Sequence, residues 1–144
     1  MGGMRCAWAA RWLVVAVCLG CGNGSPFDYV PVSGTLTYED GTPISAGGIE
    51  LQFFAQDAKP VNGAHARPAG TKVDASGNFV NVTSYKYGDG LVLGKHKVSI
   101  DYATDAKGKL LVPKEYTHGG TTPLIVEITE DSAEAPLEIK VPRP

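Results

Sequence analysis

From Val32 to Glu39 the chain alternates with a period of two. Val32, Gly34, Leu36 and Tyr38 hold the even positions, and Ser33, Thr35, Thr37 and Glu39 the odd ones. That period turns one row of side chains inward and the other toward water, and it predicts a half-buried strand. Asp40-Gly41 follows, a pair that tolerates positive φ and signals a reversal between strands. Pro43 cannot donate to a ladder, so the returning segment is expected to be an edge or irregular piece. Pairing is expected to resume at Ile49, Leu51 and Phe53, with Glu50 and Gln52 facing out. The stretch reads as an opening hairpin.

Further along, residues 55–70 are polar, rich in Ala, Pro and Gly and without period, which predicts a surface loop. Gly70 to Val73 leads into a tight turn at Asp74-Ala75-Ser76-Gly77-Asn78. Phe79 to Thr83 reads as a strand in which Phe79 and Val80 point to opposite faces. A second loop spans Tyr85 to Gly90. The cleanest alternation sets Val98, Ile100 and Tyr102 on one side and Lys97, Ser99 and Asp101 on the other. Two last strands are predicted at 124–129 and 137–141, joined by an acidic turn at Glu130-Asp131. Beyond residue 20 no segment carries apolar residues at i, i+3, i+4 and i+7 over a useful length. About seven short strands with frequent turns predict an all-β fold, an antiparallel β-sandwich or partly open barrel.

The N-terminus is of another kind. Arg5 and Arg11 precede the apolar run Trp12 to Leu19, and Gly20 stands just before Cys21. A basic start, a short apolar core and a small residue at the cut describe a signal peptide over residues 1–20. The run falls short of the roughly 20 residues that a bilayer-crossing helix needs. Val17-Cys18-Leu19-Gly20-Cys21 resembles the lipobox of bacterial lipoproteins, which implies acylation at Cys21. Residues 21–31 then form the lipidated Cys and a Gly/Asn/Ser/Pro tether, and 32–144 the folded domain.

Export on these terms simplifies the chemistry. All three Cys and both Trp lie at or before the cut, so the domain is expected to hold no disulfide, thiol nucleophile or thiolate metal site. The 13 Lys and Arg lose Arg5 and Arg11, leaving 11 against 15 Asp and Glu, a net charge of −4. No run of Lys or Arg forms a basic stripe, and no nucleic-acid partner is expected.

Five segments carry a resemblance: VSGTLTYEDGTPI with GGIELQF, DASGNFV, GDGLVLGKHKVSI, LVPKEY with TTPLIVEI, and APLEIKV. In this order they resemble small bacterial lipoproteins, abundant in planctomycetes, that bear a transthyretin-like or carboxypeptidase-regulatory-like domain. The resemblance covers nearly all of the chain after residue 30. It implies a seven-stranded antiparallel Greek-key sandwich, Ig-like in architecture and displayed on the cell envelope. It implies an anchor in the cell membrane or outer membrane, with the domain in the periplasm or at the cell surface, and it implies no reaction. The family pattern has an aromatic residue where this chain has His96.

His65, His96 and His118 lack the spacing of a zinc site. Asp74 to Asn78 and Tyr87 to Gly90 offer oxygens beside glycines but lack the distal Glu of a calcium loop. The transthyretin fold also hosts hydroxyisourate hydrolases, which resemble one another in an N-terminal His and a C-terminal Tyr-Arg-Gly-Ser. Here no His precedes His65 and the end reads Val141-Pro142-Arg143-Pro144. No Asn stands in the final strand for a Lys–Asn crosslink. The expectation is a protein without catalytic residues, metal or cofactor, serving structure or interaction with an envelope protein or glycan. The alternative is a ligand-binding module that takes glycan or peptide on the loop Tyr85-Lys86-Tyr87.

Overall fold

Alternation becomes burial along the first strand. In the computed structural model, which describes residues 24–144, Val32, Gly34, Leu36 and Tyr38 are buried and their odd-numbered neighbours are not. The signal peptide assigned to 1–20 and the acylation assigned to Cys21 lie outside the described residues. Seven strands follow in order: β1 (Gly34–Tyr38), β2 (Glu50–Ala55), β3 (Ala69–Lys72), β4 (Asn78–Phe79), β5 (Gly94–Asp101), β6 (Ile125–Ile128) and β7 (Leu137–Val141). They make two sheets, one of order β4-β1-β7 and one of order β3-β2-β5-β6. Among the described residues the helical elements are two 3-10 turns, Lys114–Thr117 and Glu130–Ala133. The fold is mostly β, as the alternation predicts.

The opening hairpin does not form. β1 and β2 lie in different sheets. Asp40-Gly41 does reverse the chain, with the Tyr38 N–H donating to the Thr42 carbonyl at 2.9 Å, and Thr37 faces Pro43 in a single bridge. Pro43 then stops the ladder. The chain crosses to the other sheet, burying Ile44 and Ile49 as it goes.

Nor are the sheets wholly antiparallel. β1 pairs with β7 in parallel over the full length of both, from Gly34↔Leu137 to Tyr38↔Val141. A short turn forces antiparallel neighbours only on consecutive strands. The first and last strands are joined by the whole domain, so no local signal fixes their direction. The remaining strand pairs are antiparallel.

Two of the remaining departures have a common cause. Val98 and Ile100 of β5 are fully buried as expected, but Ser99, expected on the outer side, is buried as well, and Tyr102 is 68% exposed. Tyr102 adopts φ +59, which turns its ring off the sheet and hands the inward place to Ala103. Asn81 does the same at φ +55. Phe79 and Val82 are buried on either side, Val80 is left out at 56% exposure, and the regular strand ends at Phe79 rather than running to Thr83. Asn enters this left-handed region more readily than other side chains.

The core runs between the sheets. Phe53 on β2 and Phe79 on β4 meet across it, ring centroids 6.2 Å apart and tilted by 52°. Gly34 makes room for this contact. A Cβ there would collide with the Leu137 carbonyl oxygen and come within 2.7 Å of Phe79 Cζ. Replacing Phe53 by Ala deletes most of a fully buried ring, and Phe→Ala changes of this kind cost about 3–5 kcal/mol. Urea unfolding of Phe53→Ala is expected to show a loss of that size, whereas the exposed Val80→Ala stays within about 0.5 kcal/mol of the parent. Equal effects at the two positions would contradict this placement of the core.

Candidate functional site

The loop after Val82 is held by one carboxylate. Asp89 accepts the backbone N–H groups of Ser84 (2.8 Å), Tyr85 (2.9 Å) and Lys86 (2.7 Å). Burial pushes its pKa up, but these donors outweigh burial and hold it below the usual carboxylate range. At the far end of the loop Gly90 lies against Val30 and Pro31, where any Cβ would run into the Val30 carbonyl. Val30 and Leu91 exchange backbone hydrogen bonds of 2.8 and 3.0 Å beside it. The loop is therefore fixed at both ends.

The three residues of this loop expected to bind each have different partners. The Arg67 guanidinium sits 5.0 Å from the centre of the Tyr85 ring. Lys86 is exposed, its N–H turned to Asp89. Tyr87 is 83% exposed, and its hydroxyl accepts a hydrogen bond from Asn81 Nδ2 at 3.0 Å. Of the three, Tyr87 alone lines a groove of about 660 Å³. Tyr85 and Lys86 are not among the residues that line it.

The groove itself escaped the sequence reading. Its floor is the β2–β3 ladder around the pair Gln52↔Gly70, and its far wall is the chain from Val80 to Thr83, with Tyr87 beyond. Thr83 is bound to the free edge of β3, exchanging backbone hydrogen bonds with Gly70 at 2.9 and 3.0 Å. The Thr71 hydroxyl donates to the Val80 carbonyl at 2.6 Å and fixes the wall. Gly70 leaves the hollow: a Cβ there would meet nothing closer than the Leu51 carbonyl oxygen at 3.6 Å. One signal was present in the sequence, an apolar Val80 out of period; Gly70 was expected at the end of a loop and stands instead in β3.

Ionised side chains enter the groove at one end only. Glu50 and Lys72 are cross-strand partners whose charged atoms lie 3.9 Å apart, with the Lys72 side chain 81% exposed. Asp101 stands opposite Glu50 on β5. Burial first and the Glu50 charge second push its pKa up, against the pull of His118 and a hydrogen bond from Gln52.

Elsewhere the polar residues serve the fold. Asp74 accepts the N–H groups of Ser76 and Asn78, both at 2.9 Å, so its carboxylate closes its own turn. His65 and His118 are exposed, and His96 is buried. Among the described residues no three His, Cys, Asp or Glu side chains are grouped to hold a metal ion, and no helix is long and apolar enough to cross a membrane. His96 Nε2 lies 2.9 Å from the Val92 carbonyl, which makes it the protonated nitrogen, and Nδ1 has no hydrogen-bond partner.

The molecule is thus a mostly-β, two-sheet domain with an open groove beside one edge of its larger sheet. No protein-family model matches the chain, and comparisons with curated proteins and with solved structures give no match either.

Burial pulls the His96 pKa below its ordinary 6.5, while the Val92 carbonyl and Asp57 pull weakly the other way. The unfolded imidazole takes up a proton near that ordinary value and the folded one does not. The associated stability is complete above that pH and falls as pH drops below it. Unfolding free energies from urea titrations between pH 7 and pH 5 are expected to decline, by up to about 1.4 kcal/mol per pH unit at the steepest. His96→Phe removes the titrating group and is expected to flatten the profile. An unchanged slope in the variant would place the titration elsewhere.

Proposed function

We propose that the chain is an exported, lipid-anchored and non-catalytic interaction protein of the cell envelope. On this reading residues 1–20 are removed, Cys21 carries the acyl chains, and 21–31 tether a transthyretin-like Greek-key sandwich spanning 32–144. The Greek-key reading is supported by two antiparallel pairs, β2–β3 and β5–β6, lying side by side while β4 crosses to the opposite sheet. A β-sandwich with its own core suits a role as a displayed module, and several acyl chains at about 0.8 kcal/mol per buried methylene would hold it firmly to a bilayer.

Between a purely structural part and a binding module, one observation favours binding: the groove over Gly70. Its volume lies within the range of ligand sites, about 300–1,000 Å³. Val80 and Tyr87, two large apolar side chains left in water, both line it. An exposed aromatic beside a concave surface is a familiar start of a recognition site. The binding residues on this reading are those around the groove, with Tyr87 retained from the loop and Tyr85 and Lys86 outside it.

Two measurements test the proposal. Mass spectrometry of protein extracted from its own membranes is expected to find a chain starting at Cys21 and carrying acyl groups, and an unmodified Cys21 would dispose of the anchor. A photo-crosslinking amino acid at Val80 is expected to trap an envelope component in cells, whereas the same group at the exposed Glu138 traps none. Equal trapping at both positions, or none at Val80, would dispose of the interaction role.

A further inference from the structure

We infer that the groove over Gly70 binds a neutral, hydroxyl-rich oligosaccharide rather than an extended peptide. The inference deepens the interaction reading above and is independent of the lipid anchor. It rests on what the groove offers and on what it withholds.

An extended peptide gains affinity by adding to a sheet edge through its backbone, and the edge of β3 offers no continuous ladder for that. Both backbone groups of Gly70 on that side are bound to Thr83. Pro68, two residues earlier and on the same edge, has no N–H to give. Recognition in the groove must therefore come from side chains.

Those side chains are uncharged in sum. Glu50 and Lys72 are the ionised residues among the lining and they pair with each other. A charged ligand would find no net opposite charge to offset its desolvation. The other polar lining groups are amides and hydroxyls, Gln52 and Asn81 with Thr71 and Thr83, which both donate and accept. Sugar hydroxyls do the same. The apolar C–H face of a sugar ring needs a flat or aliphatic partner, and Tyr87 and Val80 stand exposed at the groove for it. Tyr87 is also held in place by Asn81 and by a loop tied to Asp89, so little ordering is left for binding.

Isothermal titration calorimetry with the full chain tests this against maltohexaose, cellohexaose and chitohexaose, and against an uncharged extended octapeptide. At least one oligosaccharide is expected to bind with a Kd below about 1 mM. Gly70→Leu sends a side chain into the open groove and is expected to abolish that binding without lowering the urea midpoint, because nothing closer than 3.6 Å opposes its Cβ. Tyr87→Ala is expected to weaken binding at least about tenfold, and Tyr87→Phe, which keeps the ring, to restore most of it. Binding of the peptide alone would overturn the sugar assignment and leave the interaction role standing. Failure of every oligosaccharide, or full binding by Gly70→Leu, would overturn the inference.

Discussion

Phe53 and Phe79 come from different sheets and meet at the centre of the molecule, and most of the architecture follows from letting them do so. Phe79 belongs to a strand of two residues, too short to hold its place by backbone pairing alone. It is pinned instead by packing against Phe53 and by its register opposite Gly34. Gly34 is pressed from its other side by Leu137, the first residue of the parallel last strand. One residue without a side chain thus lets three segments of distant sequence close on one another. A methyl group there would force the last strand or the aromatic pair to yield.

Around that centre the loops are ordered less by apolar packing than by aspartates accepting neighbouring N–H groups. Asp74 and Asp89 do this on either side of the groove wall, and Asp105 takes the Lys107 and Lys109 amides in the next loop at 2.8 and 2.9 Å. Asp40 does it at the first reversal, where the Thr42 hydroxyl and N–H and then the Arg143 guanidinium hold its carboxyl far below the usual range. Arg143 also lies 4.0 Å from the centre of the Tyr38 ring, so the chain's end is folded back onto its first strand. Local bonds of this sort let a small domain present exposed residues such as Tyr87 from a defined position.

What the sequence revealed and what it hid divide along the same line. A period of two is a local property, and it identified β1 and β2 with the correct residues inward. Partner choice is not local. Asp40-Gly41 advertised a hairpin because it does reverse the chain, yet Pro43 ended that hairpin after one bridge and left β2 to the other sheet. Tyr102 looked like a core residue until a left-handed backbone put Ala103 in its place. The loop Tyr85-Lys86-Tyr87 was legible as a cluster of side chains. That Asp89 would take the Tyr85 and Lys86 amides and Arg67 would lie over the Tyr85 ring depends on contacts that no spacing encodes. The groove was the hardest feature to anticipate, because it consists of a side chain that is not there.

Gly34 and Gly70 show how differently the same residue can enter a structure. At Gly34 the fold demands glycine, since backbone and ring crowd the space a Cβ would occupy. At Gly70 it makes no such demand. The space is open and the residue does not appear among those with positive φ. Glycine within a strand costs about 0.5–1 kcal/mol relative to alanine, because the unfolded chain gains freedom and the sheet gains no packing. Stability alone would therefore favour a larger residue at this position, on the strand that flanks the groove. Folding accounts for the first glycine and leaves the second without a structural reason, one that the proposed oligosaccharide in the open space above Gly70 would supply.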